Sequence, residues 1–299
     1  VSIVLLGADG QVGYELHRAF APLGPIAAYT IFGTLPGGAR CGRIDFTEAG
    51  SLAKLIDERR PSLVLNAVAH TQVDRAEDEP ALAQRINAEA VVELANACAR
   101  HGAKLVHFST DYVFGGEGRR PWREDDVTAP LGVYGRTKLA GEEAIRASGC
   151  RHMILRTAWV YASRGQNFLR TALRLARERD ELKIVHDQVG SPTPARWLAV
   201  ATALAHAQSP ARDGTWHVVA DGECSWHQFA AAIYAEALAA KVLERAPRLI
   251  GISSSEYPAK AKRPAYSRLD SSRFASDFGL QLPDWREGLK QVMAELAPD

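Results

Sequence analysis

The sequence predicts an α/β protein: a doubly wound parallel sheet of the Rossmann type, with a smaller C-terminal lobe interleaved with it. Three observations carry that reading. Unbroken apolar runs such as Ser2-Ile-Val-Leu-Leu6 and Ser62-Leu-Val-Leu-Asn66 have the pattern of strands buried on both faces. Helical stretches alternate with these runs, as a parallel sheet covered by helices requires. The first run ends in a glycine turn, Gly7-Ala-Asp-Gly10-Gln-Val-Gly13, that opens into a helix at Tyr14. The chain of 299 residues suits one large or two unequal domains, and 46% hydrophobic with 24% charged residues is an ordinary globular balance. A net charge of +1 gives no reason to expect a nucleic-acid or anionic-membrane partner. No apolar run approaches the roughly 20 residues of a membrane span, and the first residues read as a strand rather than a secretion signal. Cys41, Cys98, Cys150 and Cys224 form no metal or redox spacing and look like reduced thiols of a cytoplasmic protein.

In the glycine turn, Gly7 permits the tight bend, Gly10 lets backbone approach a pyrophosphate and Gly13 lets helix pack against strand. The helix N-terminus then turns free N–H groups toward the phosphates. The spacing is G-x-x-G-x-x-G, which a merely glycine-rich turn would also show. Ile26–Thr30 is the second strand, and its end carries Thr30 where an acid for the ribose 2′-hydroxyl is usual. Arg40 and Arg43 follow; they favour NADPH over NADH unless they are only solvated loop charges. Asp45 and Phe46 close that loop, placed to cradle an adenine. Residues 47–60 read as a helix. The strand 62–66 runs into Ala67-Val-Ala69-His70-Thr71, whose small residues leave room for a cofactor ribose; His70 is a site candidate or an ordinary loop histidine. Residues 80–101 read as one long helix with Ala88, Val91, Val92, Ala95 and Ala99 on one face. Lys104–Phe108 is the next strand, delivering Ser109, Thr110 and Asp111 to the carboxyl edge where ligands of such sheets bind.

A helix begins near Tyr134, and Tyr134 and Lys138 are about one turn apart on the same face. A nearby ammonium favours phenolate and lowers a tyrosine pKa of about 10, so the pair suits general acid–base work. A chance surface pair has the same spacing. The loop 115–130, with Glu124, Asp125 and Asp126, reads as solvated. The strand beginning at His152 ends in Trp159 and Tyr161, which either stack on a ligand or fill core. Helices at 167–178 and 194–206 and strands at 182–185 and 215–219 follow. Ser225 and Gln228 form a capping box for a helix reaching about Ala240. Residues 253–270 are irregular, and Asp284 opens the last helix by the same capping logic. The expected division is a dinucleotide-binding domain over 1–160 with a return over 194–219, and a substrate lobe over 161–193 and 220–299.

Gly7-x-x-Gly10-x-x-Gly13, Ser109/Thr110 and Tyr134-x-x-x-Lys138 together resemble the extended short-chain dehydrogenase/reductase superfamily. Further blocks narrow this: Asn66-Ala-x-Ala-His-Thr71, Ser109-Thr-Asp-Tyr-Val-Phe114, Pro130-Leu-x-Val-Tyr-Gly-x-Thr-Lys138, Arg156-Thr-x-Trp-Val-Tyr161, Asp187-Gln-x-Gly-x-Pro-Thr193 and Arg263-Pro-x-x-Ser-Arg-Leu269. They are similar to the dTDP-4-dehydrorhamnose reductase family over nearly the whole chain. The resemblance implies NAD(P)H-dependent reduction of the C4 ketone of dTDP-4-dehydro-6-deoxy-L-mannose to dTDP-L-rhamnose. It implies Tyr134 as general acid, Lys138 holding the nicotinamide ribose and keeping the tyrosine pKa low, and Thr110 bonding the substrate carbonyl oxygen. It further implies Asp111 and Trp159 against the deoxysugar, Arg263 against a phosphate, and Gln11, Val12, Ala69, His70 and Thr71 along the cofactor. Some relatives form homodimers around Mg²⁺; here the C-terminal helix offers only Glu295 and Asp299, so no metal ligand is assigned. Three other readings share the motifs: a reductase of a talose- or streptose-type sugar, an epimerase or dehydratase that recycles its NAD, and a non-catalytic subunit like that regulating methionine adenosyltransferase.

Overall fold

Apolar runs too short for helices pair side by side into one sheet. In the computed structural model, which describes residues 2–118 and 120–297, the strands in chain order are β1 (Ile3–Leu6), β2 (Ile26–Thr30), β3 (Gly42–Arg43), β4 (Leu63–Asn66), β5 (Lys104–Thr110) and β6 (His152–Thr157). Four short strands follow: β7 (Val160–Tyr161), β8 (Glu181–Val185), β9 (Val189–Gly190) and β10 (Thr193–Pro194). The chain then returns as β11 (Gly214–His217) and ends its strands with β12 (Cys224–Ser225) and β13 (Arg248–Ile252). Seven of them form a sheet in the order β11-β6-β5-β4-β1-β2-β3, every neighbouring pair parallel. The strand order reverses between β1 and β4, so the turns after Leu6 and Asn66 open side by side.

The helices are α1 (Gln11–Phe20), α2 (Ser51–Arg59), α3 (Val73–Asp78), α4 (Pro80–Gln84), α5 (Ala90–His101), α6 (Val133–Ser148), α7 (Phe168–Glu178), α8 (Ala195–Gln208), α9 (Trp226–Ala239), α10 (Ser272–Phe278) and α11 (Trp285–Ala294). Alternation along β1 sorts them into layers. Ile3 and Leu5 join a core with Leu16 and Phe20 of α1, Leu198 of α8 and Phe274 and Phe278 of α10. Val4 and Leu6 join the opposite core with Leu52 and Ile56 of α2, Leu94 of α5 and Ile145 of α6. A third core gathers Leu169 of α7, Phe229 and Ile233 of α9 and Trp285 and Leu289 of α11. Phe274 and Phe278 belong to the sheet's own core, although their segment was expected in the substrate lobe.

Three segments differ from the sequence expectation. The helix expected from Thr47 starts at Ser51, because Asp45 holds Thr47 in a turn through its N–H (2.8 Å) and hydroxyl (2.7 Å), and Gly50 adopts φ +82°. The single helix expected over 80–101 is interrupted by a π-helical turn, Arg85–Glu89. That extra residue moves the buried stripe of α5 to Val91, Leu94, Ala95 and Cys98 and leaves Val92 43% exposed. In the acidic loop, Glu124 is not free in solvent: it accepts from the His217 N–H at 2.9 Å, with burial raising its pKa. The capping box at Ser225 and Gln228 is present in both directions, whereas Asp284 caps α11 only by accepting from the Arg286 N–H.

A buried ion pair fastens α6 to the sheet. Arg156 of β6 meets both oxygens of Glu142, at 2.9 and 2.7 Å, and Arg146 adds a third contact at 3.1 Å. Burial pushes the Glu142 pKa up, and hydrogen bonding and charge from Arg156 more than offset it, leaving the carboxyl below its ordinary value. A carboxylate lowered on folding stabilises the fold above its unfolded pKa, and that contribution is lost as pH falls through the folded value. We predict that Glu142→Gln, which strands a buried guanidinium, costs about 3–5 kcal/mol in urea unfolding. The gap between wild type and variant should narrow as pH falls below about 4.

Candidate active site

Gly7 follows β1 with φ +80°, a conformation open to glycine, and its N–H bonds the Tyr29 carbonyl at 2.9 Å. Gly13 lies so close beneath it that a Cβ would stand 1.9 Å from the Gly7 carbonyl oxygen. Gly10 caps α1 without a side-chain hydrogen bond, and the first turn carries no acid. The leading amides of α1 therefore have no side-chain competitor for an anion, which fits the diphosphate of a dinucleotide. Gln11 donates to the Gln166 carbonyl at 3.2 Å and accepts from Asn167 at 2.7 Å. The Arg164 guanidinium sits 3.6 Å from the Tyr14 ring centroid. The segment 162–167 thus fastens onto the start of α1, a contact no local pattern announced. Val12 packs against the adjoining core.

At the end of β2, the Thr30 hydroxyl is buried and bonded to the Thr34 N–H at 3.1 Å and its carbonyl at 3.2 Å, so it is spent inside its own loop. Arg40 and Arg43 are exposed. Of the two residues expected to cradle the adenine, Phe46 is placed otherwise and Asp45 is partly engaged. Phe46 is buried in the core with Val4 and Leu52, and Oδ1 of Asp45 accepts from the Thr47 N–H and hydroxyl. Ala69, His70 and Thr71 follow β4 beside the glycine turn. Asn87, at the centre of the π-helical turn, accepts from the His70 N–H (2.8 Å) and donates to the His70 carbonyl (3.1 Å) and Thr137 (3.1 Å). It locks this loop to α6, and sequence reading missed it because its role depends on the irregular turn.

The end of β5 holds the reactive groups. Thr110 donates to Asp111 Oδ1 at 2.9 Å and accepts from the Tyr112 N–H at 3.2 Å. Asp111 is buried, its Oδ2 has no partner, and burial pushes its pKa up to about 6 against hydrogen bonds from Ser267 and Thr110. Tyr134 comes from the first turn of α6, with the Tyr112 ring edge-on at 5.5 Å. Burial pushes the Tyr134 phenol up to about 12, with Thr110 hydrogen bonding pulling it down and Asp111 adding to the rise. Lys138 Nζ donates to the Phe108 carbonyl at 2.6 Å and lies 3.2 Å from His107 Nε2. Burial pushes its pKa down to about 8, opposed by Glu142. The expectation that Lys138 depresses the tyrosine is therefore corrected. The amine points inward to β5, and burial and the groups at the end of β5 govern the phenol, which stays protonated at neutral pH.

Trp159 holds a left-handed backbone at φ +48° and stacks on Trp226 with centroids 3.5 Å apart and planes 6° from parallel. Strained backbone at a non-glycine residue persists only where its surroundings over-determine it. Gly190 makes the room: a Cβ there would stand 2.6 Å from the Trp159 ring. Trp226 was legible only as the first residue after a helix cap. Arg263, expected against a phosphate, gives one of its nitrogens to Asp74 at 2.6 Å, while Nη1 is buried without a partner. No group of three or more His, Cys, Asp or Glu that could hold a metal exists among the described residues. Glu295 is engaged by Ser163 and Arg196, each at 2.6 Å, and Asp299 lies outside the described residues. The Mg²⁺ implied by resemblance thus finds no ligand set among the described residues.

A dinucleotide turn at the switch point, a Ser/Thr strand end and a tyrosine–lysine helix define an oxidoreductase of the extended short-chain dehydrogenase/reductase class. The chain is a member of the RmlD substrate binding domain family, whose model matches residues 1–297. It is 46% identical over 299 residues to the dTDP-4-dehydrorhamnose reductase of Shigella flexneri, covering 99% of this chain and 98% of that one. Among solved structures it resembles the dTDP-4-dehydrorhamnose reductase of Bacillus anthracis in complex with NADP, with TM-score 0.88, 34% identity and coverage of 98% and 99%. The corresponding Clostridium acetobutylicum structure matches with TM-score 0.87, 34% identity and 99% coverage of both chains. No described helix is long and apolar enough to cross a membrane.

Gly190→Ala should push the Trp159 indole off Trp226. The expected outcome is altered intrinsic tryptophan fluorescence with an unchanged far-ultraviolet circular dichroism spectrum.

Proposed function

We propose that this protein reduces the C4 ketone of dTDP-4-dehydro-6-deoxy-L-mannose to dTDP-L-rhamnose with NADPH. The observation that carries the reading is the convergence of Thr110, Asp111 and Tyr134 at the carboxyl end of β5, on the same edge of the sheet as the glycine turn. The chain's similarity to reductases of that name supports the substrate. When bound, the reduced nicotinamide supplies hydride to the ketone carbon. Tyr134, protonated at neutral pH, gives its hydroxyl proton to the resulting alkoxide, which is far more basic than a phenolate. Thr110 donates to the same oxygen as charge develops on it; its one proton now rests on Asp111, so the hydroxyl rotates to engage substrate. Asp111, with one buried oxygen unpartnered, takes a sugar hydroxyl. Trp159, backed by Trp226, gives the deoxysugar a flat apolar wall. The free amides of α1 hold the cofactor diphosphate, and Gln11, Ala69, His70 and Thr71 line its path.

Thr30 leaves the ribose end without a carboxylate, and exposed Arg40 and Arg43 follow it, which favours a 2′-phosphate. We assign the small sheets β7–β10, β8–β13 and β9–β12, with the helices α7, α9 and α11, to holding the nucleotide diphosphate.

The test is oxidation of NADPH by dTDP-4-dehydrorhamnose, with product stereochemistry read by NMR. We expect one NADPH consumed per sugar reduced; turnover without net NADPH loss would replace this reading with an epimerase or dehydratase that recycles its cofactor. Tyr134→Phe should lower kcat about 10²- to 10⁴-fold, and Thr110→Val about 10²-fold or more, with little change in fold.

A further inference from the structure

Asn66, His107 and Lys138 form a buried chain that the chemistry above does not use. Each is 2% exposed or less. Asn66 of β4 and His107 of β5 are register partners across the sheet, and Asn66 Nδ2 lies 3.1 Å from His107 Nδ1. On the far side of the ring, Nε2 lies 3.2 Å from Lys138 Nζ. The backbone fixes which way the amide faces: Asn66 Oδ1 accepts the Val68 N–H at 3.1 Å, so turning the amide over would set two donors against each other. Asn66 therefore donates to Nδ1, and a neutral imidazole must carry its hydrogen on Nε2, facing Lys138.

An ammonium at Lys138 would then oppose one N–H with another, whereas a neutral amine accepts from Nε2–H and still donates to the Phe108 carbonyl at 2.6 Å. We propose that His107 is a positioning residue: held in its Nε2–H tautomer by Asn66, it disfavours the charged form of Lys138 and keeps that amine ready to lose and regain a proton beside Tyr134. This assignment rests on the reductase reading for its use in catalysis, but not for its existence. The other titratable or charged groups around Lys138 are Tyr134 and Glu142 on its own helix, Asp111 past the end of β5 and Arg156 on β6. Glu142 favours the ammonium, as charge on Asp111 would, and Glu142 is already shared with Arg156 and Arg146. Arg85 and Glu89 of the π-helical turn pair with each other, and Glu77 of α3 accepts from the Val133 N–H. The imidazole itself is held neutral, its pKa driven well below the ordinary range by burial and by Lys138.

The experiment is NMR of the full-length protein carrying ¹³C,¹⁵N-labelled lysine and histidine, titrated without cofactor or substrate, with Lys138→Met identifying the Lys138 signal. We expect the His107 nitrogens to report Nδ1 bare and Nε2 protonated, and Lys138 to lose its proton at least one pH unit below an ordinary lysine, about 10.4. In Asn66→Asp a carboxylate accepts from Nδ1–H, the tautomer reverses, and the Lys138 midpoint should rise by at least one unit, a tenfold change in proton affinity. His107→Gln, which can turn an oxygen to the ammonium, should raise it too. The alkaline limb of the kcat/KM profile should move with it in both variants. A reversed tautomer in wild type, or a Lys138 midpoint that stays put in whichever variants fold, overturns the proposal. Failure of wild type to reduce the keto-sugar would instead sink the functional reading and leave the titration standing.

Discussion

The parallel register of the sheet is the constraint on which the site depends. Because every strand points the same way, the carboxyl ends of β1, β4 and β5 open on one edge, and the groups there come from segments far apart in sequence. The same register removes those groups from water. Thr110, Asp111 and Lys138 are buried, and the dominant influence on Asp111, Tyr134 and Lys138 alike is loss of solvent. Desolvation disfavours charge, so the acid, the phenol and the amine all shift toward their neutral forms. In the free site, charge on these groups is thus disfavoured by burial, and the phenol in particular keeps its proton at neutral pH.

Much of this was legible in the sequence. The glycine turn after β1 is local chemistry, set by a positive φ at Gly7 and a close approach at Gly13 that admit no side chain. The strands announced themselves because both their faces are covered. Tyr134 and Lys138 share a helix face through simple periodicity. What periodicity cannot report is where a side chain's hydrogen bonds go. Lys138 was read against its neighbour on the helix, but its partners, Phe108 and His107, lie on a strand some 30 residues earlier. The ion pair of Arg263 with Asp74 went unseen because the two are 189 positions apart. Phe46 looked available to an adenine because nothing local reveals that β1 and α2 enclose it.

The aromatic wall shows the same division. Trp159 could be flagged as a residue at a strand end, yet its left-handed backbone and its stack on Trp226 require β9 to bring Gly190 beneath the ring. The strain is local; the restraint that maintains it is spread over three segments. Its counterpart across the site is the contact of Gln11 with Asn167, which joins the start of the chain to its middle and is invisible to any short window.

The π-helical turn at Arg85–Glu89 makes chain length here as consequential as residue identity. Taking out one residue would restore a regular spiral and swing α5 by about 100° relative to α4. Leu94 and Cys98 would then rotate toward solvent, and Asn87 would lose its grip on the His70 loop. A point substitution in this stretch trims a contact; a single-codon deletion would misalign an entire layer.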